Sequence, residues 1–284
     1  MPKIKTADGV NLYYEEAGVG TPVIFVHEFA GDYRTWEPQM RRFSRSHRCV
    51  TYSQRGYPPS DIPEDPARYG QDIARADVVA VMGALGIAKA HIVGHSMGAY
   101  TAHVGIRHPE RCISVTAAGC GWGSLPDPAA RASMRAQAAE TSKMFTEQGI
   151  VAAAAIYADT PTRQSQKYKD PRGYADFSRM RSEHSAQGHA LTMAMLQSKR
   201  PTLWDMEADL KTFPVPLLVI VGDEDETCLD GSLFLKRTAP TAGLLVIPRS
   251  GHTINSEEPD AVNAALAELF AAAENGRWLA HKPA

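Results

Sequence analysis

Short, β-branched apolar runs alternate with stretches of helical periodicity at both ends of this 284-residue chain, and no other feature restricts the fold as much. Lys3 to Thr6 and Asn11 to Ala17 read as a hairpin turning at Asp8-Gly9. Pro22 to Val26, Arg48 to Tyr52, His91 to Gly94, Ile113 to Ala118, Pro216 to Val221 and Leu244 to Ile247 read as six further strands. Runs this apolar suit strands covered on both faces, as in a parallel sheet. Helical spacing appears around Tyr33 to Phe43, Tyr69 to Leu85, Ser96 to about His108, Ser232 to Arg237 and Pro259 to Ala273. The expected class is α/β, with a mostly parallel eight-stranded sheet flanked by helices.

The rhythm stops between Gly121 and Phe213, where helical patterns rich in Ala, Met, Gln and Arg contain no convincing buried strand. About 90 residues are too many for a simple connection. We therefore expect a core domain built from residues 1–120 and 214–284, with a helical cap of residues 121–213 inserted after the sixth strand. The tail beyond Glu274 is expected to be loosely held.

Composition narrows the function. A formal net charge of −2 offers no electrostatic attraction to nucleic acid or anionic membranes. The basic pairs Arg41-Arg42 and Lys199-Arg200 read as solvated helix faces. No secretory leader is evident behind Met1, and no apolar run is long enough to span a bilayer. Cys49, Cys112, Cys120 and Cys228 lack metal-type or redox spacing, so buried, reduced thiols and a cytoplasmic location are expected. Neither cofactor nor metal is expected, the partner is a small-molecule substrate, and a homo-oligomer is left open.

Chemistry enters at Gly94-His95-Ser96-Met97-Gly98, a G-x-S-x-G pattern between an expected strand and an expected helix. A serine on so sharp a turn tolerates no bulk two residues to either side. The turn lifts the hydroxyl clear of the sheet and sets the backbone N–H of Met97 at a helix start, where it can stabilise negative charge. Such a serine needs a positioned base, and the base needs a carboxylate. The strand Leu217 to Val221 is followed by Gly222-Asp223-Glu224-Asp225-Glu226, and Leu244 to Ile247 by Ser250-Gly251-His252. This order nominates His252 as base and Asp225 as acid. Asp223, which still continues the strand, is the weaker alternative.

These motifs resemble the α/β-hydrolase family, in particular small bacterial aryl esterases, cofactor-free perhydrolases of the haloperoxidase type and C–C bond hydrolases. The resemblance covers about Lys3 to Ala118 and Pro214 to Leu269, and it implies the α/β-hydrolase fold with a variable cap. It also implies that the residue after His-Gly, here Phe29 in His27-Glu28-Phe29-Ala30-Gly31, supplies the second oxyanion-hole N–H beside Met97. Glu28 replaces the usual glycine. Its carboxylate has two readings: it binds a cationic substrate group, or it turns away and pairs with an arginine such as Arg55. The segment Ser53-Gln54-Arg55-Gly56-Tyr57-Pro58-Pro59-Ser60-Asp61 departs from the family's Asp-x-Arg-Gly-x-Gly-x-Ser-Asp at Ser53 and Pro58, which alters loop shape.

Within the insertion, Trp122 is the expected pocket wall, because it follows the strand beside the nucleophile's strand. Tyr157, Tyr168, Tyr174, Met180, Met193, Met195 and Trp204 are expected mainly in the cap core. His184 and His189 are expected at the cap or its surface rather than as a metal pair. The reading is a serine hydrolase acting on a small ester or related acyl compound. A C–C bond hydrolase or perhydrolase with the same triad is one alternative, and a low-turnover ligand receptor on this fold is another.

Overall fold

The computed structural model describes residues 1–101 and 104–280. Eight strands form one sheet: β1 (Lys3–Lys5), β2 (Asn11–Ala17), β3 (Thr21–Val26), β4 (His47–Tyr52), β5 (Ala90–His95), β6 (Cys112–Ala118), β7 (Leu217–Gly222) and β8 (Ala242–Ile247). Their order is β1-β2-β4-β3-β5-β6-β7-β8. β2 is antiparallel to both β1 and β4, and the remaining pairs are parallel.

Alternation along each strand divides the core in two. Ile24, Val26, Val50, Ile92 and Val115 point to the face covered by the helix Gln71–Ala84. Val23, Phe25, Val93 and Ile220 point to the other face, where Phe43 and Leu266 come from the helices Glu37–Phe43 and Pro259–Glu274. Burying each such side chain stabilises the fold by about 1.5–3 kcal/mol. Coverage on both faces explains why these strands read as continuous apolar runs.

Between β6 and β7 the chain forms helices only: Pro128–Ala158 (broken at Gly149), Gln164–Lys169, Pro171–Ser182, Ala186–Leu191, a π-helical turn Thr192–Gln197 and Glu207–Lys211. Polar caps start three of them. Asp127 accepts from Ala130 N–H at 2.7 Å, Asp170 from Gly173 N–H at 2.9 Å and Ser185 from Gly188 N–H at 3.1 Å. None of the described helices is long and apolar enough to cross a membrane.

Three local expectations need correction. The helix read at Ser232–Arg237 starts at Glu226, directly after the acidic loop. Beyond Glu274 the chain is anchored up to Trp278, whose indole N–H donates to the Thr241 carbonyl at 2.8 Å beside Gly243. Finally, Arg41 and Arg42 are exposed as expected, but Arg200 is buried with its guanidinium 3.7 Å from the centre of the Tyr100 ring. Lys199 stays exposed, while Arg200 turns inward onto the faces of Tyr100 and Trp122, a pairing that local sequence does not show.

The turn after β4 is pinned by Arg55. Its guanidinium meets Asp77 at 2.7 Å through two nitrogens and Asp8 at 2.8 Å. Asp77 is buried with Arg55, whereas Asp8 is substantially exposed. Removing Asp77 by Asp77→Ala leaves a buried cation short of its main partner and is expected to cost about 3 kcal/mol. Asp8→Ala is expected to cost about 1 kcal/mol or less. Urea unfolding of both variants checks the contrast, and equal losses would contradict it.

Candidate active site

Gly94 and Gly98 make room for the sharp turn at Ser96. A Cβ on Gly94 would lie 2.2 Å from the Gly98 carbonyl oxygen, and one on Gly98 would lie 2.1 Å from the Val26 carbonyl oxygen. Ser96 itself adopts φ 51°, a left-handed conformation that a non-glycine residue takes only where its surroundings impose it. Its N–H donates to Ala118 in β6 at 2.8 Å, and its carbonyl accepts the Ala99 N–H at 3.0 Å.

Two loops beyond the C-terminal ends of β7 and β8 complete the cluster. His252 Nε2 lies 2.9 Å from Ser96 Oγ, and His252 Nδ1 lies 2.7 Å from Asp225 Oδ2. Burial works to raise the Asp225 pKa, but the charge and hydrogen bond of His252 outweigh it and hold the carboxyl below its ordinary range. An ionised Asp225 accepts the hydrogen bond from Nδ1–H and so leaves the Nε2 lone pair facing the serine hydroxyl. Asp223 takes a different part: it accepts the Ser250 N–H at 3.2 Å and ties the two loops together.

The histidine loop is held from several sides. His95 Nε2 bonds the His252 carbonyl at 2.6 Å, and the His252 N–H donates to Thr162 of the insertion at 2.7 Å. Gly251 is required there, since a Cβ would meet the Thr162 carbonyl oxygen at 2.3 Å. Cys228 packs below, its Sγ 3.8 Å from His252 Nδ1 and 3.2 Å from the Gly119 carbonyl oxygen. Burial pushes its pKa well above the ordinary thiol value, so it stays protonated. All four cysteines are free and buried.

The loop after β3 carries Glu28 and Phe29. His27 fastens it, accepting the Gln54 N–H at Nε2 (2.9 Å) with Nδ1 2.6 Å from the Glu28 carbonyl. Tyr57 O–H donates to the Phe29 carbonyl at 2.9 Å. The Phe29 ring sits among Phe145, Tyr157 and His189 of the insertion.

Glu28 is 1% exposed and pairs with Arg163, at 3.1 and 2.5 Å. Burial alone would raise its pKa, yet Arg163 above all overcomes this, and the carboxyl lies well below its usual range. The expected pairing with an arginine holds, but with Arg163 of the insertion; Arg55 is committed to Asp77 and Asp8. Both Glu28 oxygens are engaged by Arg163, and Glu28 is not among the residues that line the cavity over Ser96. Sequence reasoning missed Arg163, although a carboxylate next to a buried strand end demands a cation from elsewhere in the chain.

A cavity of about 450 Å³ opens over Ser96 and His252. Trp122 lines it as expected. So do Tyr157 and Met193, expected mainly in the cap core, together with Met134 and Met144. Tyr168 is exposed. His184 and His189 are buried rather than superficial: His184 lies 3.1 Å from Asp32 and 3.5 Å from His189, bridging the insertion to the loop after β3. Among the described residues neither belongs to a cluster fit for a metal.

Residues 23–265 match the model of the family described as the alpha/beta hydrolase family. The chain is 30% identical over 252 residues to 3-oxoadipate enol-lactonase 1 of Acinetobacter baylyi, covering 84% of each sequence. It is 29% identical over 274 residues to a putative carbamate hydrolase of a Caulobacter species, covering 92% of this chain and 95% of that one. A thermophilic esterase from Thermogutta terrifontis superposes with a TM-score of 0.82 at 24% identity, covering 96% of this chain and 98% of the other.

Burial pushes His27 and His95 down to about 4. An unfolded histidine titrates near 6.5, so acid drives protons onto the unfolded chain first. Stability is therefore expected to be level above about pH 6.5 and to fall by several kcal/mol as pH drops toward 4. Urea midpoints at pH 7.5, 6 and 4.5 check this, and a flat profile would show that these imidazoles are not held neutral.

Proposed function

This chain belongs to the alpha/beta hydrolase family, and we propose that within it the chain is a serine hydrolase cleaving small esters or related acyl compounds through an acyl-enzyme. The observation that carries the reading is the continuous relay Ser96 Oγ, His252 Nε2, His252 Nδ1, Asp225 Oδ2, with links of 2.9 and 2.7 Å. His252 takes the serine proton as Ser96 attacks the acyl carbon, while Asp225 fixes the imidazole and offsets its charge. The N–H groups of Phe29 and Met97 hold the oxyanion. His252 then gives its proton to the leaving group and activates the water that releases the acyl chain. In this reading residues 121–213 act as the cap, closing the cavity over the reacting atoms.

The cavity lining supports a neutral substrate. Its charged members are Arg163, whose charge is answered by Glu28, and the exposed Glu226. Trp122, Met134, Met144 and Met193 offer apolar surface for the body of the substrate. A volume of about 450 Å³ suits a small organic ester.

A fluorophosphonate probe is expected to label Ser96, seen by peptide mass spectrometry, and Ser96→Ala is expected to lose on the order of 10⁴-fold or more in kcat. A Ser96→Ala protein with undiminished turnover would sink the assignment. 4-Nitrophenyl acetate and butyrate are expected to be hydrolysed faster than the carboxylate-bearing 4-nitrophenyl hemisuccinate. The reverse order would overturn the neutral-substrate reading.

A further inference from the structure

We infer that Glu28, held by Arg163, is a positioning residue that sets the charge balance at His252 Nε2, the atom that exchanges the proton with Ser96. The inference rests on the serine-hydrolase reading and adds a second carboxylate to its machinery. Glu28 Oε2 lies 3.9 Å from His252 Nε2, while Asp225 serves the opposite ring nitrogen at 2.7 Å. The imidazole therefore has a carboxylate on each side.

All of these groups are shielded from water, so a unit charge at this distance is strongly felt. Glu28 alone would hold the imidazolium once formed and slow its return to the base form. Arg163 alone would oppose formation of the imidazolium. Joined through two hydrogen bonds, they form a compact dipole with one carboxylate oxygen near Nε2 and the guanidinium lining the cavity. The other titratable and charged groups around the imidazole or the pair are His95 (neutral through burial), Cys228 (a buried thiol), Tyr157, Arg181 and the exposed Glu226 of the cavity lining. Among the described residues, the carboxylates within 4 Å of the imidazole nitrogens are those of Glu28 and Asp225.

Glu28 and Arg163 also join the β3 loop to the insertion, so loss of activity in a single variant does not distinguish charge from tethering. The direction of the pH shift does. Profiles of kcat/KM for 4-nitrophenyl butyrate are compared for wild type, Glu28→Gln, Arg163→Gln and the double variant. Glu28→Gln leaves the cation, and its acid limb is expected to move to lower pH by about one unit, with kcat down about tenfold and KM changed less. Arg163→Gln leaves the anion, and its acid limb is expected to move to higher pH. The double variant returns the limb toward the wild-type position, and Glu28→Asp, which keeps the charge, retains it.

Active variants whose acid limbs stay in place, or move in the same direction for both single substitutions, overturn the inference and leave a tether. If Arg163→Gln does not fold, the limb of Glu28→Gln decides alone, since it keeps the shape and removes only charge. A wild type that neither turns over the ester nor takes the fluorophosphonate label fails the serine-hydrolase reading itself, and the inference falls with it.

Discussion

The contact between Gly98 and the Val26 carbonyl at the end of β3 is the constraint on which the rest of the site depends. With room for no side chain at Gly94 or Gly98, the chain leaves β5 and enters a helix within a few residues, and Ser96 is forced to φ 51°. Strain of this kind costs about 1–3 kcal/mol and persists only because the surrounding sheet over-determines it. β5 lies between β3 and β6 and is buried along its whole length, which supplies that rigidity. The serine stands at the sheet's C-terminal edge because the fold leaves its backbone no other path.

The same edge gathers the loops after β3, β7 and β8, and the insertion is fastened to them by buried polar contacts. Arg163 meets Glu28, His184 meets Asp32, the Thr162 carbonyl receives the His252 N–H, and Gln166 receives the Thr253 hydroxyl. An apolar interface would tolerate sliding, whereas buried polar groups penalise any arrangement that leaves them unpaired. The insertion is thereby registered on the Ser96–His252–Asp225 cluster as well as laid over it. Apolar packing adds a third cluster in which Phe29 and Met97 meet Phe145, Ala190 and Met193. Through this cluster and the Glu28–Arg163 pair, the position of the insertion bears directly on the loop beside Ser96 and His252.

Much of this is legible in local sequence. Short β-branched apolar runs, turn residues and the two flanking glycines follow from short-range preferences, so the eight strands and the turn at Ser96 can be read from the chain itself. The order Ser96, Asp225, His252 is readable because each residue follows a strand directly, and strand ends in a parallel sheet lie on one edge. Boundaries are less accurate. The helix at Glu226 begins inside what reads as an acidic loop, since local sequence does not say where a loop hands over to a helix packed on β7 and β8.

What local sequence leaves open are the partners of buried charges. Glu28 demands a cation, but nothing near residue 28 points to a residue 135 positions away, and Arg55 is an equally good candidate until Asp77 and Asp8 claim it. The burial of Arg200, His184 and His189 belongs to the same class, because a polar residue's exposure depends on which helix is laid across it. The strands and the sharp turn that carries Ser96 were thus matters of local sequence, governed by forces acting over a few residues. The Glu28–Arg163 pair beside His252 and the lining of the cavity were decided by tertiary structure, because desolvation and charge pairing act between residues that only folding brings together.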